Sequence, residues 1–156
     1  MKWYLRSFLS AKDDWLISGL TSYENKIKHH INFNLELIKP PKFSRDQKLL
    51  KIKKEEELFL SRLESKDHVI NFDERGKSLS SEEFAKLLKD LEESGRSKVV
   101  FHIGGSFGLG NEVKTRANHS ISLSPFVFNH QIALLVAMEQ IYRAQMIQKG
   151  LPYHNE

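Results

Sequence analysis

The spacing of apolar residues along the chain switches repeatedly between two periods. Lys2 to Phe8 follows a two-residue beat that places Trp3, Leu5 and Ser7 on one face, and predicts a first strand. Asp13 to His30 shifts to helical spacing through Trp15, Leu16, Leu20, Tyr23 and Ile27. Asn32 to Ile38 alternates again, and Pro40-Pro41 ends that strand because proline has no N–H to give a sheet ladder. Ser44 to Leu63 predicts a second helix with Ser44 as N-cap and Leu49, Leu50, Ile52, Leu58 and Leu60 at apolar positions. His68 to Phe72 reads as a short third strand, broken by a charged turn from Asp73 to Lys77. Ser80 or Ser81 then caps a third helix, and Glu83 completes a capping box with Ser80. Ser97 to Ile103 is a fourth strand, Gly110 to Arg116 a short helix and His119 to Leu123 a fifth strand. His130 to Gln148 is a last helix, closed by Gly150 and Pro152. Strands alternating with helices predict an α/β fold with a mostly parallel sheet flanked by helices. No internal repeat or low-complexity segment appears, and residues 1–156 are read as one domain.

Composition narrows the class. Hydrophobic residues make up 40% and charged residues 28%, ordinary for a globular domain with a real core. No run approaches the length of a membrane span, and the N-terminus is too polar and too soon acidic for a secretory signal. There are no cysteines, which excludes disulfides and thiolate metal sites and fits a cytoplasmic protein. His29 and His30 are adjacent and no HxxxH or HExxH pattern occurs, so no metal site is expected. A net charge of +4 is a mild basic bias, open both to ordinary variation and to a polyanionic partner such as RNA. The stretch KLLKIKKEEELFLSR, Lys48 to Arg62, mixes signs and reads as a solvated helix face.

The candidate chemistry lies in the last third. The strand VVFHI runs into the turn GGSFGLG, with four glycines in seven residues. A P-loop would need GxxxxGK[ST]. Gly105 and Gly110 have the spacing, but Asn111 and Glu112 follow, which argues against ATP or GTP. No GxGxxG spacing occurs, which argues against NAD. The glycine density predicts either a tight reversal or backbone amides close to a ligand. LSPFVF breaks its strand at Ser124-Pro125 and continues as an apolar surface. It reads as a buried corner or as a slot for an adenine ring, which apolar walls and backbone hydrogen bonds are enough to hold. His130 reads as a cap, a packed residue or a catalytic group. Glu139 and Arg143 stand at i and i+4 and are expected to pair.

At these residues the chain resembles the bacterial SPOUT-class methyltransferases of the RlmH type, which methylate N3 of a pseudouridine in 23S ribosomal RNA. The matching segments are FDERGKSLSSEEFA at Phe72 to Ala85, FHIGGSFGLG at Phe101 to Gly110, SLSPFVFNHQ at Ser122 to Gln131, EQIYRA at Glu139 to Ala144 and PYH at Pro152 to His154. Their order and spacing match, and the resemblance runs end to end, more loosely over residues 1–65. It implies a C-terminal trefoil knot that binds S-adenosylmethionine, with Phe72, Gly104 and Leu123, Ser124, Pro125, Phe126, Val127 and Phe128 around the cofactor. It implies a homodimer acting on 23S rRNA or the ribosome, with Arg143, Tyr153 and His154 in catalytic positions. Tyr153 would position the target base and His154 would act as base or proton relay. The chain departs from the family's usual pattern at Asn129, where proline is common, and at Phe107, where a small polar or acidic residue is usual. The competing readings are a non-catalytic RNA- or ribosome-binding module on a degenerate knot, and a nucleotide-binding regulator.

Overall fold

The computed structural model describes residues 1–10 and 13–155. Five strands, β1 (Lys2–Phe8), β2 (Asn32–Ile38), β3 (His68–Ser78), β4 (Lys98–Ile103) and β5 (His119–Ser122), form one sheet in the order β2-β1-β4-β3-β5. Every pairing between them is parallel. The connecting helices are α1 (Asp14–Lys28), α2 (Lys48–Leu60), α3 (Ser81–Glu93), α4 (Asn111–Arg116) and α5 (His130–Gln148). The predicted α/β class and the element order hold. Ser44 to Gln47 is a capped 3-10 turn that leads into α2 rather than its first α-helical turn.

The alternation of strand side chains assigns the helices to faces. In β4, Val99, Phe101 and Ile103 point into the larger core with Leu16, Leu88 and Leu134, so α1, α3 and α5 cover that face. Val100 points the other way, into a smaller core with Phe59 of α2 and Val113 of α4. Of the positions assigned to helix cores from spacing alone, Trp15, Leu49 and Leu50 are exposed. The path of α5 across α1 and α3 is compatible with a knotted C-terminus.

The third strand is longer than its sequence predicts. Phe72 and Lys77 both pair with Ile121, so residues 73–76 bulge out of β3 and the strand resumes beyond them. Asp73, Glu74 and Gly76 read as a turn because a polar, glycine-bearing run usually is one. Gly76 has a different reason here: a Cβ on it would stand 2.6 Å from the Ile121 nitrogen and from the Ser120 carbonyl carbon. Gly76→Ala is expected to push β5 off the sheet and cost about 1–3 kcal/mol. A urea midpoint unchanged from wild type would show that the bulge absorbs the methyl group.

His102, on the α2 face of β4, is buried and stacks on Phe59 at 3.6 Å between ring centroids. Among the described residues, neither ring nitrogen has a hydrogen-bond partner. Burial, aided by the Arg6 charge, lowers its pKa from 6.5 to about 3. Unfolding therefore takes up a proton at acid pH. Stability is expected to fall as pH drops through 6.5 toward 3, by up to about 1.4 kcal/mol per pH unit for one proton. His68, lowered by burial to about 4, adds to the same loss. In His102→Phe the gap between urea midpoints at pH 7 and pH 5 should narrow; an unchanged gap would assign the acid loss to other groups.

Candidate functional site

Parallel strands place all their C-terminal ends on one edge of the sheet. There β3 continues into α3 on the larger-core face and β4 into α4 on the opposite face. Their connections part and leave a crevice, the usual ligand position in an open α/β sheet. A cavity of about 360 Å³ occupies it. Its walls come from the bulge after Phe72, the turn from Gly104 to Leu109, and the loop from Leu123 to Phe128, with His130 and Ala133 of α5 behind.

Of the eight residues expected around a cofactor, the structure gathers Phe72, Gly104, Leu123, Ser124, Phe126, Val127 and Phe128 at this cavity. Pro125 does not line it and faces solvent. Its loop is held from within: Ser122 Oγ donates to the Ser124 carbonyl at 2.9 Å, and Ser124 Oγ accepts from the Phe126 N–H at 3.0 Å. Proline therefore helps to shape the turn and is not a wall. Phe126 and Val127 are 81% and 78% exposed and form an apolar loop tip open to solvent.

The glycines of the turn answer to their own neighbours more than to a ligand. A Cβ on Gly104 would meet Leu109 Cδ2 at 2.7 Å and the Gly108 carbonyl oxygen at 2.8 Å. Gly108 has φ +90°, which a side chain rarely adopts, and its N–H closes the turn on the Gly105 carbonyl at 3.0 Å. Gly105 and Gly110 leave room for two carboxylates of α2: added Cβ atoms would stand 2.7 Å from Glu55 Cδ and 2.5 Å from Glu56 Cδ. Both glutamates are buried. Glu56 Oε2 accepts the Val113 N–H at 3.0 Å, and Glu55 Oε1 is buried without a hydrogen-bond partner among the described residues. Burial raises the Glu55 pKa, against the opposing pull of Lys51 and of the nearby Gly105 backbone. The solvated-face reading of Lys48 to Arg62 is thus corrected. Two of its acids are internal struts that hold the turn from below, and the match of EE to two glycines about fifty residues on was the available signal.

His130 opens α5, but the cap is Asn129, whose Oδ1 accepts the Gln131 N–H at 2.8 Å. Asn129 thus supplies the capping side chain of α5. His130 Nε2 lies 3.1 Å from Ser7 Oγ, and burial, then the Lys51 charge, lowers its pKa. Phe107 packs under two ammonium groups, with Lys48 Nζ and Lys51 Nζ at 5.7 and 5.2 Å from its ring centroid.

The three expected catalytic residues form a second cluster. Arg143 Nε and Nη2 donate to Glu139 Oε1 at 2.9 and 2.6 Å, the expected i,i+4 pair. Tyr153 Oη donates to the same oxygen at 3.1 Å, and the guanidinium lies over the Tyr153 ring at 4.7 Å. Burial, the Tyr23 hydroxyl and Glu139 all raise the Tyr153 pKa, so the phenol stays protonated at neutral pH. His154 Nδ1 is 3.1 Å from Arg143 Nη1 and its Nε2 is 2.6 Å from Glu82 Oε1. Arginine only donates, so Nδ1 accepts and Nε2–H donates to the carboxylate. The tail is therefore docked on α5 and α3.

The two clusters are not together within one chain. His130 and Ala133 border the cavity, while Arg143 lies thirteen residues further along α5, about 20 Å at 1.5 Å per residue. Among the described residues, no group of three or more His, Cys, Asp or Glu is gathered as a metal ion needs, and no helix is long and apolar enough to cross a membrane.

An open parallel sheet with a cavity between diverging strand ends defines an α/β domain with a pocket at the ends of its strands. Residues 1–154 match the family described as predicted SPOUT methyltransferases, and the chain belongs to that family. It is 39% identical over 155 residues to the ribosomal RNA large subunit methyltransferase H of Bdellovibrio bacteriovorus, covering 99% of each chain. It is 37% identical to the protein of that name from Dictyoglomus thermophilum, covering 92% of each. A putative RNA methyltransferase of Arabidopsis thaliana is 42% identical over 85% of this chain and 69% of its own length. Among solved structures, a probable methylase family protein from Haemophilus influenzae has the same fold, with a TM-score of 0.54 at 14% identity, over 99% of this chain and 70% of that one.

Proposed function

We propose that the protein is an S-adenosylmethionine-dependent methyltransferase of large-subunit ribosomal RNA, acting at N3 of a pseudouridine. The observation that carries this is the cavity at the ends of β3 and β4, built by the residues that match the family's cofactor motifs, in a chain that aligns end to end with proteins bearing that name. The donor set suits the cofactor. Phe72, Leu123 and Phe128 offer apolar walls, and the loops present backbone groups at the rim. Asp73 and Glu74, released from β3 by the bulge, bring carboxylates to the same cavity. S-adenosylmethionine supplies an already electrophilic methyl group, so the protein's work is alignment, exclusion of water and removal of the N3 proton.

Asp73 and Glu74 favour a cationic ligand by charge. Tyr153 offers a ring and a protonated hydroxyl for the target base. His154 accepts the N3 proton only after Arg143 releases Nδ1, because both ring nitrogens are engaged in the docked tail. The distance along α5 separates this tail from its own cavity, so the working site is composite: the tail of one subunit serves the cavity of a second copy. The exposed Phe126 and Val127 are where such a copy would cover the loop.

The test is methylation of 23S rRNA from a strain lacking this protein, read by mass spectrometry, beside a thermal shift with S-adenosylmethionine. Ligand at a hundred times its dissociation constant stabilises the fold by about 2.7 kcal/mol. A shift without any new methyl group on the RNA would favour the non-catalytic module.

A further inference from the structure

The sixteen residues from Lys39 to Lys54 hold seven lysines and arginines and one acid, Asp46. That segment carries +6, whereas the whole chain carries +4, so the remaining 140 residues sum to −2. The basic bias of this protein is therefore local. In sequence it looks compensated, because three glutamates follow at once. In space it is not: Glu55 and Glu56 turn inward beneath the glycine-rich turn, and the outer face of α2 keeps the cations. Every residue from Lys42 to Leu50 is exposed. The pairings there are peripheral, Lys53 with Glu112 at 3.3 Å and Lys54 with Glu57 at 3.8 Å, all four side chains open to water and contributing little.

This surface is continuous with the cavity. Lys48 lines its mouth, and Lys48 and Lys51 clasp Phe107, the residue at the tip of the turn that forms one wall. Apolar groups are interleaved with the charges: Leu49 is 79% exposed, Leu50 55% and Phe43 37%. A row of cations with exposed apolar and aromatic groups beside a cavity fits a nucleic acid, whose phosphates take the charges and whose unpaired bases take the ring. A second copy of this chain is the poorer occupant, since self-apposition would bring two +6 segments together.

We infer that the segment from Lys39 to Lys54 is the surface on which the phosphate backbone of the RNA substrate lies, adjacent to the methyl-transfer cavity. The inference rests on the rRNA reading above and assigns the contacts that reading leaves open. The segment neutralises phosphates and aims the target nucleotide past Phe107, while the cofactor residues stay separate from it.

The experiment compares two triple variants with the same loss of charge. K42Q/R45Q/K53Q alters the segment without touching the cavity lining, and K66Q/K86Q/K89Q alters exposed lysines elsewhere. Binding to undermethylated 23S rRNA and to 50S subunits is measured across a potassium chloride series, with S-adenosylmethionine affinity and sedimentation measured alongside. The segment variant is expected to bind RNA at least tenfold more weakly and to lose about 2–3 from the log–log salt slope, near 0.7–0.9 per phosphate contact. Its cofactor affinity should stay at the wild-type value, and the control should bind RNA within twofold of wild type. Wild-type affinity and slope in the segment variant would overturn the inference, as would an equal loss in the control. A changed sedimentation with RNA binding intact would overturn it in favour of an interface between copies. If wild-type protein binds S-adenosylmethionine but no rRNA, this surface and the rRNA reading fall together; if only the segment variant is indifferent, the rRNA reading survives.

Discussion

Ending the chain at Pro152 is expected to reduce methyl transfer by about 100-fold or more while leaving S-adenosylmethionine affinity within twofold of wild type. The magnitude is that of a lost proton acceptor in a positioned site, about 10² to 10⁴. The separation of effects follows from the geometry. The cavity is assembled from β3, β4 and the loops behind them, and none of its lining residues belongs to the tail. Tyr153 and His154 sit with Glu139, Arg143 and Glu82 at the far end of α5. Because the tail also packs, with the Tyr153 ring 4.8 Å from that of Tyr142, a slightly lower melting temperature should accompany the loss. The measurement is transfer of labelled methyl to undermethylated rRNA, beside calorimetry with the cofactor. A truncated protein that methylates at the normal rate would remove Tyr153 and His154 from the mechanism.

Gly104→Val should be nearly as severe, by a different route. The added side chain collides first with Leu109 and the Gly108 backbone, so it reshapes the turn before it reaches any ligand. The turn has little freedom to yield, because Glu55 and Glu56 press on Gly105 and Gly110 from below. Cofactor affinity is expected to fall about 100-fold, which is about 2.7 kcal/mol. The sheet beneath should persist, since Val99, Phe101 and Ile103 pack on the other elements irrespective of the turn. Calorimetry giving wild-type affinity in a folded variant would show that the turn does not border the cofactor.

Much of this architecture was readable from local pattern. β1 and β2 match their sequence bounds because their apolar beat is clean, and the Ser80–Glu83 box forms with Glu83 N donating to Ser80 Oγ at 3.1 Å and Ser80 N donating to Glu83 Oε2 at 2.7 Å. Seven of the eight residues expected around a cofactor converge on one cavity because motif residues follow strand ends, and a parallel sheet gathers those ends. What escaped depends on neighbours distant in sequence. Gly76 reads as a turn until β5 is known to lie against it. Glu55 and Glu56 read as solvated until the turn at Gly105 and Gly110 is placed over them. Trp15 keeps helical spacing yet is half exposed, because spacing fixes a face and not what covers it. The distance between the tail and its own cavity is a property of helix length, which motif order along a chain does not convey.

The all-parallel pairing has a bearing on how the chain comes into being. β1 sits between β2 and β4, so one of its edges is satisfied as soon as residue 38 is made, while the other waits for residues 98–103. At about 5–20 residues per second those intervening 60 residues take about 3–12 s on the ribosome. During that time the nascent Trp3–Phe8 segment presents an open, mostly apolar strand edge, the kind of surface that pairs with the wrong chain. A slow-translating stretch just before codon 98 would lengthen that exposure, and a trigger-type chaperone that shields the first forty residues would shorten its consequences. Expression yield of this protein should therefore respond more to synonymous changes between codons 39 and 97 than to those after codon 123.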